Sequence, residues 1–170
     1  ALTALDVDAT RCARITDTLQ RLHLHAQVLC ADARRPQDWF AAHCASQPFD
    51  AIVLDAPCTA SGIVRRHPDV RWLRRSSDVA QLAAIQAQLL DALWPLLAPG
   101  GRLLYCTCSV FRAEGDEQVQ AFVARQPQAH WLPSPGHLLP GGGAQGGTLT
   151  DNAARDHDGF YYALLEKRSA

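Results

Sequence analysis

The chain alternates short apolar runs with segments of helical periodicity. The clearest run is FDAIVLDAP (49–57), in which Ile52, Val53 and Leu54 are consecutive and Asp55 closes the apolar stretch. A run of this length, bounded by polar residues, is typical of a strand buried on both faces of a sheet. Since strands that alternate with helices build a mainly parallel sheet covered by helices on both faces, the sequence predicts an α/β fold.

The other predicted elements follow the same alternation. Asp8 can cap the first helix, whose apolar residues fall on one face. Strands are predicted at 2–7, 26–32, 102–108, 129–132 and 159–167. Helices are predicted at about 9–22, 35–46, 78–97 and about 114–125.

The length of 170 residues fits one domain with a substantial core. Residues 133–158 are rich in proline and glycine and are predicted to form a flexible surface loop. Their GGGAQGG segment is not followed by Gly-Lys-Ser/Thr, so a phosphate-binding loop is not favoured. No run approaches the roughly 20 apolar residues of a membrane span.

Composition narrows the classes of function. The formal charge of −1 gives no global attraction to nucleic acid or membrane, so binding of a polyanion needs a local basic patch. Six cysteines without a recognisable secretion signal predict reduced thiols and a cytoplasmic location. The basic residues are nearly all arginine, which suits bidentate phosphate contacts, although a GC-rich genome explains this bias equally well.

Polar or reactive side chains follow four predicted strands. Ligands of parallel sheets bind at the carboxyl ends of the strands, where Asp6, Asp32, Asp55 and the cysteines fall. Asp6 closes a strand just before a helix, a position from which an acid accepts hydrogen bonds from ribose hydroxyls. Asp32 is placed either to meet an adenine amino group or simply to fix a turn.

Two cysteine motifs stand at these strand ends. In DAPC (55–58), proline stops the strand and fixes the direction of Cys58 beside a carboxylate. In TCS (107–109), Cys108 is expected at the mouth of the strand and Cys106 deeper inside. With His67 these thiols could form a zinc site, but the chain has no C-x-x-C knuckle, so no metal is expected. Inert packing of the cysteines remains an alternative.

Four segments carry a resemblance to a known family: ALDVDATR, LDAPCTASG before RRHPDVRWLRR, LAPGGRLLYCTCSV and DGFYYALL. They resemble the RNA 5-methylcytosine methyltransferases, and most of all the bacterial 16S ribosomal RNA cytosine-5 methyltransferase B group (the Fmu/Sun proteins). The likeness covers nearly the whole chain. It implies S-adenosylmethionine as cofactor on a Rossmann-like methyltransferase sheet.

The resemblance also implies roles for single residues. Cys108 matches the nucleophile, and Cys58 matches the cysteine that helps to release the product. Asp6, Asp32 and Asp55 match positions that contact the cofactor, and Asp55 is also expected near the target base. Both thiols are then expected to converge on one cleft, with a pyrimidine ring between their sulfurs. DNA cytosine methyltransferases are the alternative, because their nucleophile comes from the PC motif and would be Cys58.

A basic segment, IVRRHPDVRWLRR (63–75), follows DAPC and is predicted to bind RNA. Arginines hold phosphates, and a tryptophan or guanidinium plane stacks on unpaired bases. The target cytosine must leave any stack, so single-stranded or flipped RNA is the expected substrate. The resemblance implies that this RNA is 16S ribosomal RNA. A solvated loop is the alternative. The predicted contacts are Arg65, Arg66, Arg71, Trp72, Arg74 and Arg75.

The family's glycine-rich loop after its first strand and its N-terminal RNA-binding region have no counterpart here. The missing strand is expected between the strands that end at Asp6 and Asp55, so we expect an N-terminally truncated domain. Alone, such a chain is expected to aggregate, to bind cofactor weakly and to be inactive. A non-catalytic RNA-binding remnant of the fold is the alternative function. A nicotinamide-dependent oxidoreductase would share Asp6 but give the paired thiols no joint role.

Overall fold

The computed structural model describes residues 1–140 and 157–169. Where the sequence predicted one domain, the chain divides into two compact units, one at Ala1–Gln47 and one that begins at Pro48. The division follows the hydrogen bonding of the strands. Among the described residues, the strands of the first unit pair only with each other, and those of the second form a separate sheet.

The first unit is a strand–helix–strand motif. Its strands β1 (Thr3–Asp6) and β2 (Gln27–Cys30) are parallel and are joined by α1 (Ala9–Arg21). Asp8 caps α1 as predicted, because its carboxylate accepts hydrogen bonds from the first free backbone N–H groups of the helix. After β2, a single turn of 3₁₀ helix leads into α2 (Phe40–Cys44).

The second unit is a four-stranded sheet with helices. Its strand order is β3-β4-β6-β5, with β3 parallel to β4 and the other pairs antiparallel. The sheet is therefore mixed rather than mainly parallel, because the chain ends in two antiparallel strands. The strands are β3 (Phe49–Asp55), β4 (Leu97–Thr107), β5 (Ala129–Leu138) and β6 (Phe160–Lys167). The helices are α3 (Val70–Leu73), α4 (Ser76–Leu93) and α5 (Asp116–Arg125).

The core of this unit lies around the two central strands, β4 and β6. Alternate side chains of both strands are fully buried. Trp94, just after α4, packs edge-on against Phe122 of α5, with ring centroids 5.2 Å apart. The completely buried apolar side chains include Leu90, Leu103, Tyr105, Val119, Phe122, Tyr161, Ala163 and Leu165.

The prediction that β3 is buried on both faces is wrong. Val53 is 70% exposed and Ala51 is also exposed, whereas Leu54 is buried. Burial therefore follows the two-residue period of a strand with one covered face. Among the described strands β3 pairs with β4 alone, so its other edge carries no strand.

Two boundaries also differ from the prediction. The predicted flexible loop at 133–158 begins too early, because β5 continues to Leu138 through an irregularity between Leu132 and Gly136. Residues 141–156 of that prediction lie outside the described part of the chain. Strand β4 was predicted to begin at residue 102 but begins at Leu97, so it includes the APGG segment (98–101), where Gly100 has a φ of 78°. Within the described residues, no helix has the length and apolar character to cross a membrane.

Candidate active site

Two loops at the carboxyl ends of β3 and β4 carry the cysteine motifs. The strands are adjacent and parallel, with Asp55 in register with Cys106. The pairing extends beyond the strand end, since the Ala56 N–H donates to the Cys106 carbonyl at 3.0 Å. Further on, the Gly62 N–H donates to the Cys108 carbonyl at 2.9 Å. These bonds hold the two loops side by side.

The sulfurs of Cys58 and Cys108 lie 3.3 Å apart and share a hydrogen bond. Both side chains are half-buried and carry free thiols. A pyrimidine ring between two sulfurs needs about two van der Waals contact distances, roughly 7 Å. The expected arrangement, with the ring between the sulfurs, therefore does not fit. The geometry suits two thiols that act on the same face of a ring.

The shared hydrogen bond separates the acidities of the two thiols. By accepting a hydrogen bond from the Cys58 thiol, the Cys108 sulfur is stabilised as a thiolate, which lowers its pKa to about 7 in spite of burial and the charge of Asp55. The same bond, followed by burial, raises the pKa of Cys58 well above its ordinary value. Near neutral pH a substantial fraction of Cys108 is therefore ionised, and Cys58, whose pKa is raised, donates the hydrogen bond to it.

Asp55 and Cys106 lie at the end of the same two strands. Asp55 is exposed, and its Oδ1 lies 3.8 Å from Cys106 Sγ. Burial, followed by the charge of Asp55, raises the pKa of Cys106 to about 11. Cys106 is therefore a neutral thiol that faces the Leu54 carbonyl at 3.6 Å.

Sequence reasoning missed Glu114, whose side chain is fully buried. Its carboxylate accepts hydrogen bonds from Thr59 N at 2.9 Å, Thr59 Oγ1 at 2.5 Å and Ser109 Oγ at 2.7 Å. Gln86 Nε2, on α4, donates at 3.2 Å. The only sequence signal is an acidic residue shortly after TCS, which reads equally well as the first turn of a helix.

The basic segment is partly engaged within the protein. Arg66 forms an ion pair with Asp158, whose carboxylate is buried, and Arg65 Nε lies 3.5 Å from the same carboxylate. Arg74 Nε donates to the Thr59 carbonyl at 2.9 Å. Trp72 is 83% exposed. The predicted RNA contacts thus divide into side chains with a structural role and side chains that face solvent.

A cavity of about 380 Å³ lies beside the two cysteine loops. Arginines of the basic segment and apolar side chains line it. The lining includes Thr59, Ser61, Arg71, Arg74, Arg75 and Phe111. Phe111 is 43% exposed. The cavity therefore combines cationic groups with an aromatic face next to both cysteine motifs.

The predicted cofactor residues Asp6 and Asp32 belong to the first unit. Asp6 Oδ1 accepts the Asp8 N–H at 2.8 Å, and Asp6 Oδ2 lies 3.7 Å from an Arg11 guanidinium nitrogen. Its carboxylate keeps lone pairs for a hydroxyl ligand. Asp32 is held by the guanidinium of Arg34, whose hydrogen bonds lower the pKa of Asp32. Asp6 thus fits a ribose contact more readily than Asp32, which also fixes its turn.

Comparison with known proteins shows the family to which the chain belongs. The family model described as 16S rRNA methyltransferase RsmB/F matches residues 1–166. The chain belongs to this family. The resemblance read from the cysteine motifs is thereby confirmed.

Among the described residues of this RsmB/F chain, no three His, Cys, Asp or Glu side chains are grouped to hold a metal ion.

Curated relatives share the family. Ribosomal RNA small subunit methyltransferase B of Vibrio vulnificus is 46% identical over 171 residues, with 98% of this chain and 36% of the relative covered. The protein of the same name from Vibrio cholerae is 48% identical over 170 residues, with 97% and 36% covered. The chain therefore spans just over a third of the length of these relatives.

Solved structures share the fold. The crystal structure of PH0851 matches with a TM-score of 0.80 and 34% identity. The match covers 97% of this chain and 36% of the PH0851 chain. NSun6 from Pyrococcus horikoshii with SFG has a TM-score of 0.76 and 23% identity, with 99% of this chain and 41% of that chain covered. The predicted Rossmann-like methyltransferase fold is confirmed.

Proposed function

We propose that this chain carries the catalytic cysteines of an enzyme that uses S-adenosylmethionine to methylate carbon 5 of a cytosine in RNA. Cys108 forms a covalent adduct with the base, and Cys58 assists its release. The observation that supports this most directly is the contact between the two sulfurs, 3.3 Å apart at neighbouring strand ends. Membership of the RsmB/F family makes 16S ribosomal RNA in the cytoplasm the proposed substrate.

The first step explains the need for a thiolate. Carbon 5 of cytosine is a weak nucleophile, and addition of Cys108 to carbon 6 moves electron density from the ring double bond to carbon 5. One high barrier is then replaced by two lower ones. Asp55, exposed at the end of β3, can hydrogen-bond the ring edge and stabilise the charge that develops there.

The second step breaks the adduct. When the methyl group joins carbon 5 on the face opposite Cys108, the hydrogen of carbon 5 points to the same face as the Cys108 sulfur. Cys58 lies on that side. Removal of this proton restores the ring double bond and expels Cys108 as a thiolate.

Cys58 must lose its own proton to solvent before it can act as this base. In the free enzyme its thiol keeps that proton and donates a hydrogen bond to the Cys108 thiolate. Once Cys108 is bound to carbon 6, its sulfur carries no negative charge. The pKa of Cys58 then falls, because the hydrogen bond to the Cys108 thiolate, which raised that pKa most, is lost. The thiol pair therefore exchanges roles during one turnover.

The cofactor supplies the methyl group as an electrophilic sulfonium. Asp6, Asp32 and Asp55 are the residues proposed to hold it. Asp6 offers a carboxylate at the end of β1, a place where ribose hydroxyls bind in nucleotide-binding sheets. Asp32 follows β2 and would share its carboxylate between the cofactor and Arg34.

The proposed RNA surface is the solvent-facing part of the basic segment with the neighbouring cavity. Arg71, Trp72 and Arg75 are exposed, whereas Arg66 is paired with Asp158. A cavity with arginines and the aromatic face of Phe111 suits a phosphate and an unstacked base. Arg65 and Arg74 remain proposed contacts, although both also bind within the protein.

We further propose that the 170 residues bind the cofactor weakly when isolated. The basis is the resemblance, by which a glycine-rich loop of the family that is not matched within these residues also holds the cofactor. The activity then belongs to the whole protein that contains them. Micromolar binding of S-adenosylmethionine by the isolated chain, measured by calorimetry, would contradict this proposal.

Trapping of the covalent adduct tests the assignment of the cysteines. In the protein that contains this chain, Cys58→Ala is expected to accumulate a denaturation-resistant RNA–protein adduct with S-adenosylmethionine present. Cys108→Ala is expected to form none, and Cys30→Ala serves as a control at an exposed cysteine outside both motifs. Adduct from Cys108→Ala would favour the DNA-type mechanism. Absence of methyl transfer by the unaltered protein would favour a non-catalytic RNA-binding remnant.

A further inference from the structure

The buried Glu114 carboxylate joins the two cysteine loops. Thr59, which follows Cys58, donates both its N–H and its hydroxyl to Glu114, and Ser109, which follows Cys108, donates its hydroxyl. Each cysteine is thus one residue away from a group held by the same carboxylate. Ser61 adds a further hydrogen bond between the two loops, since its Oγ lies 3.0 Å from Ser109 Oγ.

The supports of Glu114 come from the rest of the core. Gln86 of α4 donates to its carboxylate and to the Pro57 carbonyl, at 3.2 and 2.9 Å. Tyr105 of β4 donates its hydroxyl to the Glu114 carbonyl at 2.9 Å. A buried carboxylate is costly unless donors surround it, and hydrogen bonds to a charged acceptor are stronger than neutral ones. The carboxylate is therefore a rigid anchor for both loops.

We propose that Glu114 is a positioning residue, which sets the distance between the sulfurs of Cys58 and Cys108 by holding Thr59 and Ser109. The contact between the two sulfurs follows directly from this positioning. The importance of Glu114 for turnover rests on the proposed function of the two cysteines.

A second role of Glu114 would be purely electrostatic, and it has the opposite sign. The negative charge of Glu114 by itself raises the pKa of Cys108, whereas the hydrogen bond from Cys58 lowers it and is the larger effect. If Glu114 acts only through its charge, its removal lowers the pKa of Cys108. If it positions the thiols, its removal weakens the Cys58 bond and raises the pKa of Cys108.

The pH dependence of Cys108 alkylation distinguishes these roles. Reaction of the folded protein with iodoacetamide is followed by mass spectrometry that resolves Cys106 from Cys108. In Glu114→Ala, the apparent pKa of Cys108 is expected to rise from about 7 towards the ordinary thiol value. The rate at pH 7 then falls about tenfold, since a thiol of pKa about 8.5 is only slightly ionised there.

Glu114→Gln is a second, milder variant, which keeps the experiment informative if Glu114→Ala does not fold. Its amide oxygen keeps the bonds from Thr59 N and Gln86, and its amide nitrogen can donate to the hydroxyls, so a smaller rise in pKa is expected. Glu117→Gln is the matched control, because Glu117 is an exposed acid in the same part of the chain. An unchanged or lowered pKa of Cys108 in folded Glu114→Gln and Glu114→Ala would overturn the proposal.

The outcome is independent of RNA. A raised pKa of Cys108 in the Glu114 variants, without any RNA adduct in Cys58→Ala, would support the positioning role and reject the proposed function. An RNA adduct in Cys58→Ala, together with an unshifted pKa of Cys108 in both Glu114 variants, would do the reverse.

Discussion

Gly62 and Gly159 bring their backbones into direct contact across the second unit. The Gly159 N–H donates to the Gly62 carbonyl at 2.8 Å. A Cβ built on Gly62 would lie 2.0 Å from the Gly159 carbonyl oxygen, which is a backbone atom that cannot turn aside. This contact joins the loop after DAPC to the DGFYY segment, and the pairing of Arg66 with Asp158 reinforces it.

Gly62→Ala is expected to destabilise the protein by about 2 kcal/mol or more, because overpacking against backbone forces the two segments apart. Chemical denaturation followed by circular dichroism measures the loss. Gly100→Ala is the control: free space surrounds the new Cβ, and only its φ of 78° is unfavourable, at a cost of about 1 kcal/mol. Equal losses in both variants would show that the backbone contact has no special weight.

Cys58→Ala is expected to raise the pKa of Cys108 from about 7 towards the ordinary thiol value, because the hydrogen bond that stabilises the thiolate is lost. The measurement is the rate of Cys108 alkylation against pH. Cys44→Ala, in α2 of the first unit, is the control and should leave the profile unchanged. A profile unaltered by Cys58→Ala would mean that the two thiols do not share a proton.

His137 is expected to make stability depend on pH. Burial lowers its pKa from 6.5, opposed by Asp116 and assisted by Arg112, and its ring also packs against Tyr161. The folded state therefore binds the proton less readily than the unfolded state. Its contribution is constant above about pH 6.5 and becomes increasingly destabilising as the pH falls from 6.5 towards the lowered pKa.

Comparison with His137→Phe isolates this effect from the titration of carboxylates. The difference in unfolding free energy between the two proteins should favour the histidine form less as the pH falls below 6.5. His43→Gln, a histidine substitution at an exposed position, is the control. A difference that is flat between pH 5 and 8 would contradict the burial of a neutral imidazole.

Two arginines of the basic segment should differ in their effects. Arg71→Ala is expected to weaken RNA binding and to reduce the slope of log affinity against log salt by about 1, without loss of stability. Arg66→Ala is expected to lower stability by about 1–2 kcal/mol, because it weakens the pairing of the buried Asp158 while Arg66 itself is largely solvated. Binding titrations at several salt concentrations measure RNA affinity, and denaturation curves measure stability. A loss of stability in Arg71→Ala, with stability unchanged in Arg66→Ala, would contradict the assignment of Arg71 to RNA binding and Arg66 to the fold.

Much of the sheet could be predicted because its strands are short apolar runs closed by polar residues. The approach of Cys58 to Cys108 follows from the same signal, since adjacent parallel strands end at one edge. Glu114 could not be found this way. Its donors lie up to 55 residues away in sequence, and only tertiary packing brings them to it.

The errors also have physical causes. Val53 was expected inside because an apolar run does not reveal which of its faces is covered by the rest of a unit. Strand β5 was cut short because Pro133 and Pro135 are typical of loops, whereas the strand accommodates them in a local irregularity of its pairing.

The closeness of the two sulfurs also makes the pair sensitive to oxidation. Peroxide can remove two electrons and two protons from Cys58 and Cys108 to join them as a disulfide, and the low pKa of Cys108 supplies the thiolate that starts this reaction. Mild peroxide is therefore expected to block the alkylation of Cys108 by linking it to Cys58, and dithiothreitol to restore it. Samples kept without reductant would lose the alkylation of both residues together.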